Sequence, residues 1–371
     1  ESLFGLDQGF ARYDEDFGLE YKPGLYDQNQ RRASDVTTRT LELVDQGLAQ
    51  GAGLFLFAHY FDPHAPYDPP DWALSEAGLD PGTRADLKEI AKAVSDQQHA
   101  AAGVRPGQRW VFSNGLRAEL LDGASGEPSE RGELLAQLYD AELRALDREL
   151  GRLIDGLAER GILDDAMLIV TGDHGETFWE HGDFWNHGLC LYQTTIHVPL
   201  LVRLPDGDHG GLLVQEPVTT LDLVPTICQA LGVASPSGLV GVDLSPAWAG
   251  QALGARVLFS EATQPVGEVE KEQLWPNAAK AKSARQGRWK YILTPYLGNR
   301  EELYDLSVDP GESRNLLLNP DVEALEKAAG LRADLEHWVG LHSPLPSRFN
   351  SAQTDAVLQR LEALGYAGED D

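Results

Sequence analysis

Met167-Leu168-Ile169-Val170-Thr171-Gly172-Asp173-His174-Gly175-Glu176 is the stretch on which the fold turns. Four apolar residues that give way at once to polar ones read as a short buried strand ending in a cluster of ionisable side chains. Just upstream, Gly132–Gly161 carries Leu135, Leu138, Leu146, Leu150, Leu153 and Leu157 at three-, four- and eight-residue steps. That spacing predicts an amphipathic helix with Gly161 as its stop. Downstream, Val198-Pro199-Leu200-Leu201-Val202 reads as a further strand, its proline marking an edge or a strand start.

The pattern repeats earlier in the chain. Ala33–Gln50 has helical apolar spacing (Val36, Leu41, Val44, Leu48) and runs into Gly51. Leu54-Phe55-Leu56-Phe57-Ala58 then reads as a strand buried on both faces. His59 to Pro70 holds four prolines, which forbid helix and central strand, so it is a stiff loop. Thr219-x-x-Asp222 predicts a capped helix ending near Gly232. Alternating helices and buried strands predict an α/β fold, a mostly parallel sheet with helices on both faces, over residues 1–255. Within it, Leu54–Ala58 and Met167–Val170 are expected to run parallel. From about Arg256 the texture changes. Ala284–Thr294 and Glu302–Leu306 read as strands of a short antiparallel sheet and Val322–Leu341 as a helix, making a smaller α+β subdomain over 256–342. A tail spans 343–371, with one short amphipathic helix and an acidic tip.

Composition narrows the function. The 371 residues carry 30 Lys plus Arg against 59 Asp plus Glu, a formal net charge of −29. Nucleic-acid and anionic-membrane binders need clustered basic residues, so both are disfavoured. Anion chemistry in such a chain needs a local positive site, and a metal is the readiest one. Two cysteines, Cys190 and Cys228, make neither a disulfide framework nor a four-cysteine zinc site. No apolar run is long enough to span a bilayer. The chain opens on Glu1 rather than Met, and we expect an amino-terminal segment, with any targeting signal, to precede it.

In open α/β sheets, ligands bind beyond the carboxyl ends of the strands. Both of the clearest predicted strands end there in polar clusters. One offers His59, Asp62 and His64; the other offers Asp173, His174, Glu176, Glu180, His181, Asp183 and His187. Asp173 and His174, adjacent at a strand end beside Gly175, are placed as metal ligands. The plain alternative is that this pair caps the next helix and that the other histidines lie on the surface. Trp179 and Trp185 read as walls of the crevice. The density of histidines favours a site.

At these residues the chain resembles the sulfatase family of the alkaline-phosphatase superfamily. The matching stretches are Leu168–Glu176 with Glu180-His181-Gly182 and Val198-Pro199-Leu200, and His59–Tyr67. Leu303-Tyr304-Asp305-Leu306, Asp309-Pro310-Gly311-Glu312, Asn315-Leu316 and Leu364-Gly365-Tyr366 follow in the family's order. The resemblance implies hydrolysis of sulfate esters by a formylglycine nucleophile, with a divalent cation, usually Ca2+, bound beside it. It assigns Asp173 and His174 to the late pair of metal ligands and His64 to contact with the sulfate. His187 falls where the family has a Lys or His near the leaving oxygen, as electrostatic stabiliser or general acid, with His181 as a nearby alternative. Calcium prefers oxygen ligands, so His174 leaves Mn2+ or Zn2+ open.

One departure matters. The family's nucleophile lies in Cys-x-Pro-x-Arg or Ser-x-Pro-x-Arg, and neither Cys190 nor Cys228 has that context. The expectation is therefore a sulfuric ester hydrolase present as a fragment, inactive alone, its formylglycine lying upstream. The expected substrate is a small-molecule or carbohydrate sulfate ester, and the resemblance points to a periplasmic or extracellular setting. A phosphoesterase, phosphonate-ester hydrolase or phosphoryl transferase of the same superfamily is the alternative, as is a binding relative without catalysis.

Overall fold

The leucine pattern of the central region produces the longest element of the computed structural model, which describes residues 6–16, 31–51, 53–64, 67–82, 129–181, 185–262 and 280–341. The chain forms two compact units, one running to Gly161 and the other starting at Ile162. Residue 255, the expected domain boundary, falls inside the second unit, just ahead of a strand at Leu258–Glu261.

The first unit is helical: α1 (Ala33–Leu48), α2 (Asp71–Glu76) and α3 (Glu130–Glu159). Ser129 caps α3 by accepting the Gly132 N–H at 3.3 Å, and Gly161, at φ 67°, takes the left-handed turn that follows it. Val36, Thr37, Thr40 and Val44 form the buried stripe of α1, and Leu135, Leu138, Leu153 and Leu157 are among the buried residues of α3. Leu41 of α1 lies over Gly156 of α3, where an added Cβ would meet the tip of that leucine side chain at 2.7 Å.

Leu54–Phe57 does not form the expected buried strand. It joins none of the sheets of the described residues, and its four side chains are 40 to 71% exposed. Apolar character alone does not make a strand; the backbone needs a ladder partner and the side chains need a covering layer. The parallel pairing expected between this run and Met167–Val170 is accordingly absent among the described residues.

The second unit opens with β1 (Leu168–Thr171), β2 (Thr177–Phe178), β3 (Trp185–Asn186), the single-turn helix α4 (Gln193–Ile196) and β4 (Leu200–Arg203). β1 pairs antiparallel with β4, from Leu168↔Arg203 to Thr171↔Leu200, and β2 pairs antiparallel with β3. Pro199 stands just before β4, where its missing N–H removes no ladder bond. Thr219 and Asp222 make the predicted capping box ahead of α5 (Leu223–Ala230). Asp222 is fully buried. Burial works against its charge, yet hydrogen bonds from Arg256 and from the Thr219 and Val242 N–H groups hold its pKa below the ordinary carboxylate value.

After α6 (Ser245–Trp248), the chain builds a four-stranded meander of β5 (Leu258–Glu261), β6 (Lys282–Gln286), β7 (Trp289–Thr294) and β8 (Arg300–Asp305), then α7 (Val322–Leu341). The single strand read over Ala284–Thr294 is in fact a hairpin, turned by Gly287 at φ 57°. Ala324, Ala328, Leu331 and Leu335, one helical stripe of α7, pack on Ala284, Tyr291 and Leu303. Phe259 and Trp338 stack at 5.1 Å. Lys290 sits opposite Tyr304 and Ile292 opposite Glu302, on the strand face that alternates with Tyr291. From this face Glu302 and Tyr304 meet Tyr192, and Lys290 pairs with Glu312.

The α/β class stands, with helices and sheets mixed through the chain. Each ladder of the described residues is antiparallel, however, and the parallel sheet is not among them. Short turns reverse the chain in the meander, and a parallel pair cannot be made by such turns. No helix among the described residues is long and apolar enough to cross a membrane. Asp183 and Ser343–Asp371, with the expected terminal helix and Leu364-Gly365-Tyr366, lie outside the described residues.

Candidate active site

The polar cluster begins where β1 ends at Thr171. Asp173 Oδ1 accepts the backbone N–H of His174 at 2.9 Å. The His174 ring places Nδ1 2.9 Å from the Gly175 carbonyl oxygen, and a carbonyl only accepts, so Nδ1 carries the hydrogen. In the neutral ring Nε2 is then the lone-pair nitrogen, and it lies 3.7 Å from Asp173 Oδ2. Two ligands at about 2.0–2.6 Å from one cation have such a separation. A histidine that donates its other ring N–H to a backbone carbonyl is held in the tautomer a metal requires.

Gly175 is fixed by its surroundings. Its N–H donates to the Thr195 carbonyl at 2.8 Å, and a Cβ at this position would lie 2.2 Å from Thr194 O. Only glycine fits between β1 and α4 with the His174–Gly175 bond intact.

His187 stacks on His174, with centroids 3.8 Å apart and planes 22° apart. Its Nδ1 donates to Glu176 Oε1 at 3.3 Å. The Glu176 side chain is buried, at 3% exposure, and that of His187 nearly so, at 10%, whereas Asp173 is 77% exposed. Glu176 thus orients the imidazole. The structure brings together four residues of the cluster singled out from sequence, Asp173, His174, Glu176 and His187, and pairs Glu176 with His187.

His181 has different surroundings. It stacks on Tyr192 at 3.5 Å and 13°, and burial there pushes its pKa down to about 4. The Tyr192 hydroxyl donates to Glu302 at 2.9 Å. Glu180 accepts from Thr177 Oγ1 and from the Phe178 N–H, so it holds the turn after β2. Trp179 is buried beside it. His64 belongs to the first unit. It packs on the Phe61 ring at 4.5 Å, in a segment anchored by the Asp68 N–H donating to Glu142 and by the Arg32–Asp68 ion pair. Burial raises the Glu142 carboxyl well above the ordinary range.

Among the described residues, no group of three or more His, Cys, Asp or Glu is arranged to hold a metal ion. As ligands, Asp173 and His174 would supply only two donors of a shell that takes four to eight. Burial pushes the Cys190 thiol up to about 11, which keeps it protonated and a poor nucleophile at neutral pH. Sequence reasoning missed Tyr192, Lys290 and the bond between Glu312 and Gln193; only the Asp-Pro-Gly-Glu match pointed near them.

Comparison with known proteins agrees with the ordered motifs. The sulfatase family model matches residues 4–233, and the model described as N-sulphoglucosamine sulphohydrolase, C-terminal, matches 179–338. The chain belongs to the sulfatase family. It is 31% identical to the choline-sulfatase of Rhizobium meliloti (strain 1021) over 209 residues, 54% of this chain and 37% of that protein. It is 31% identical to arylsulfatase K of Bos taurus over 179 residues, 48% of this chain and 32% of that protein. The chain thus spans about a third of the length of these curated relatives. Its fold matches the solved phosphonate monoester hydrolase of Silicibacter pomeroyi with a TM-score of 0.53 and 25% identity, covering 91% of this chain and 68% of that one.

Proposed function

We propose that this protein takes part in metal-dependent hydrolysis of sulfate esters, with Asp173 and His174 supplying two of the metal's ligands. The observation that carries the reading is the stack of His187 on His174 beside Asp173 in a chain of this family. When bound, the cation, Ca2+ on the family's habit and Mn2+ or Zn2+ on the imidazole's, supplies positive charge to the sulfuryl oxygens. Asp173 offers an exposed carboxylate and His174 a lone pair fixed by its bond to Gly175. His187, oriented by Glu176, hands a proton to the departing alcohol oxygen. His181, held neutral to about pH 4, is the weaker choice for that task. His64 is assigned to the sulfate group. The nucleophile, a formylglycine in this reading, is not supplied by the 371 residues, since Cys190 and Cys228 lack its motif and Cys190 is buried. The 371-residue chain on its own is accordingly expected not to turn over sulfate esters. The substrate class is an organic sulfate, on the printed names of the relatives.

Phosphonate monoester hydrolysis is the second reading, favoured by the 25% identity to a phosphonate monoester hydrolase over 91% of this chain. Both are tested by assaying the natural gene product on 4-nitrophenyl sulfate and on a phenylphosphonate monoester. A larger kcat/KM for the sulfate supports the first reading. The reverse preference supports the second, and no turnover of either ester by the gene product refutes both.

A further inference from the structure

Lys290 and Glu312 form an ion pair with both side chains at 0% exposure. Burial pushes Lys290 down and Glu312 up, and each charge opposes the other's shift. Such pairs are often replaceable by apolar residues with no loss of stability, so stability alone is a weak reason for one. Glu312 also stands at φ 53°, in the left-handed region where a non-glycine residue is strained. The turn that holds it there is itself bonded, with the Ser313 and Arg314 N–H groups donating to Asp309.

The second carboxylate oxygen of Glu312 explains the arrangement. It accepts the backbone N–H of Gln193, the first residue of α4. That helix is a single turn, and Tyr192 ahead of it makes no side-chain cap. So short a helix does not hold itself in place. One of its carbonyls, in turn, positions the site: Thr195 O accepts the N–H of Gly175, whose own carbonyl accepts the His174 Nδ1–H. We propose that Glu312, held by Lys290, is a positioning residue for the Asp173–His174 pair, acting through α4 and Gly175. The carboxyl-terminal sheet thereby fixes the ring orientation and tautomer of His174. The link to metal affinity rests on the proposed role of that pair; the link to ring orientation does not.

The test compares two double variants of the 371-residue chain, Lys290→Met/Glu312→Gln and Lys290→Met/Glu312→Leu. Both remove the buried charges, and only the first keeps an acceptor for the Gln193 N–H. Amide exchange at Gly175 is read against Tyr291 in β7, and the His174 tautomer from its ring nitrogen shifts. The Leu variant should speed Gly175 exchange about tenfold relative to Tyr291. It should also release His174 from the Nδ1–H form, while the Gln variant stays near the parent. Should the Leu variant fail to fold, Gln193→Pro deletes the same bond from the donor side. Proline is tolerated at a first helical position, and Tyr192 at ψ 163° already has the backbone that precedes proline. Gln193→Pro is expected to give the same two changes. Unchanged Gly175 exchange and tautomer, or equal loosening of Gly175 and Tyr291 in both double variants, would overturn the proposal. Mn2+ affinity is measured alongside, with a loss of about tenfold expected in the Leu variant. If the parent fails to bind Mn2+ while the exchange pattern holds, the metal reading falls and the positioning role stands.

Discussion

The imidazoles of His174 and His187 lie face to face, 3.8 Å between centroids, while their Nδ1 atoms point to different acceptors, Gly175 O and Glu176 Oε1. One ring is committed by a backbone carbonyl and the other by a carboxylate. Two residues of one type thus have different partners, which is the ground for the separate roles proposed for them.

The carbonyl commitment depends on Gly175. Gly175→Ala would drive a methyl to 2.2 Å from Thr194 O. The expected cost is about 1–3 kcal/mol, the range for forced overpacking. A fall in the urea midpoint together with altered His174 ring shifts is the predicted result. An unchanged midpoint and unchanged shifts would show that α4 moves aside freely.

The proton-carrier assignment predicts a leaving-group effect. In the natural gene product, His187→Ala should slow hydrolysis of aryl sulfates more for basic leaving groups than for acidic ones, since a general acid matters most when the departing oxygen is basic. An equal loss across a series of substituted phenyl sulfates would reduce His187 to a binding or packing role.

His181 links the fold to pH. Its pKa falls from the ordinary 6.5 to about 4 on burial against Tyr192. Between those values the unfolded chain binds the proton and the folded chain does not, so stability rises with pH across the window. The contribution is fully present above pH 6.5 and is lost as pH falls toward 4, reduced in size by the ring's partial exposure. Urea midpoints measured from pH 7 to pH 4 should fall less steeply in His181→Phe than in the parent. Equal slopes would mean that the ring titrates normally.

Local signals in the sequence proved sound where one element satisfied itself. The leucine steps located α3, the Thr219–Asp222 spacing located a real capping box, and Val322–Leu341 was bounded as a helix at both ends. The Asp173–His174 pair and His187 were legible as a cluster because they follow one strand closely. The sequence could not show which acceptor each ring would choose, because Nδ1 of His187 reaches Glu176 eleven residues back, across the β2–β3 hairpin. It misread Leu54–Phe57, since an apolar run states what the side chains avoid and not which partner supplies the ladder. It likewise ran over Gly287, where one left-handed residue splits an apparent strand in two. Glu312 was invisible as a support for the site because its contact with Gln193 spans 119 residues.

The central claim, that Asp173 and His174 share a cation beside His187, is tested most directly by paramagnetic broadening with Mn2+. Titrating Mn2+ into the 371-residue chain should broaden the ring resonances of both His174 and His187, at weak affinity because two donors fill only part of a shell. The same titration of Asp173→Ala should leave both rings sharp at equal metal concentration. No broadening of His174 in the parent, or equal broadening in Asp173→Ala, would contradict the account.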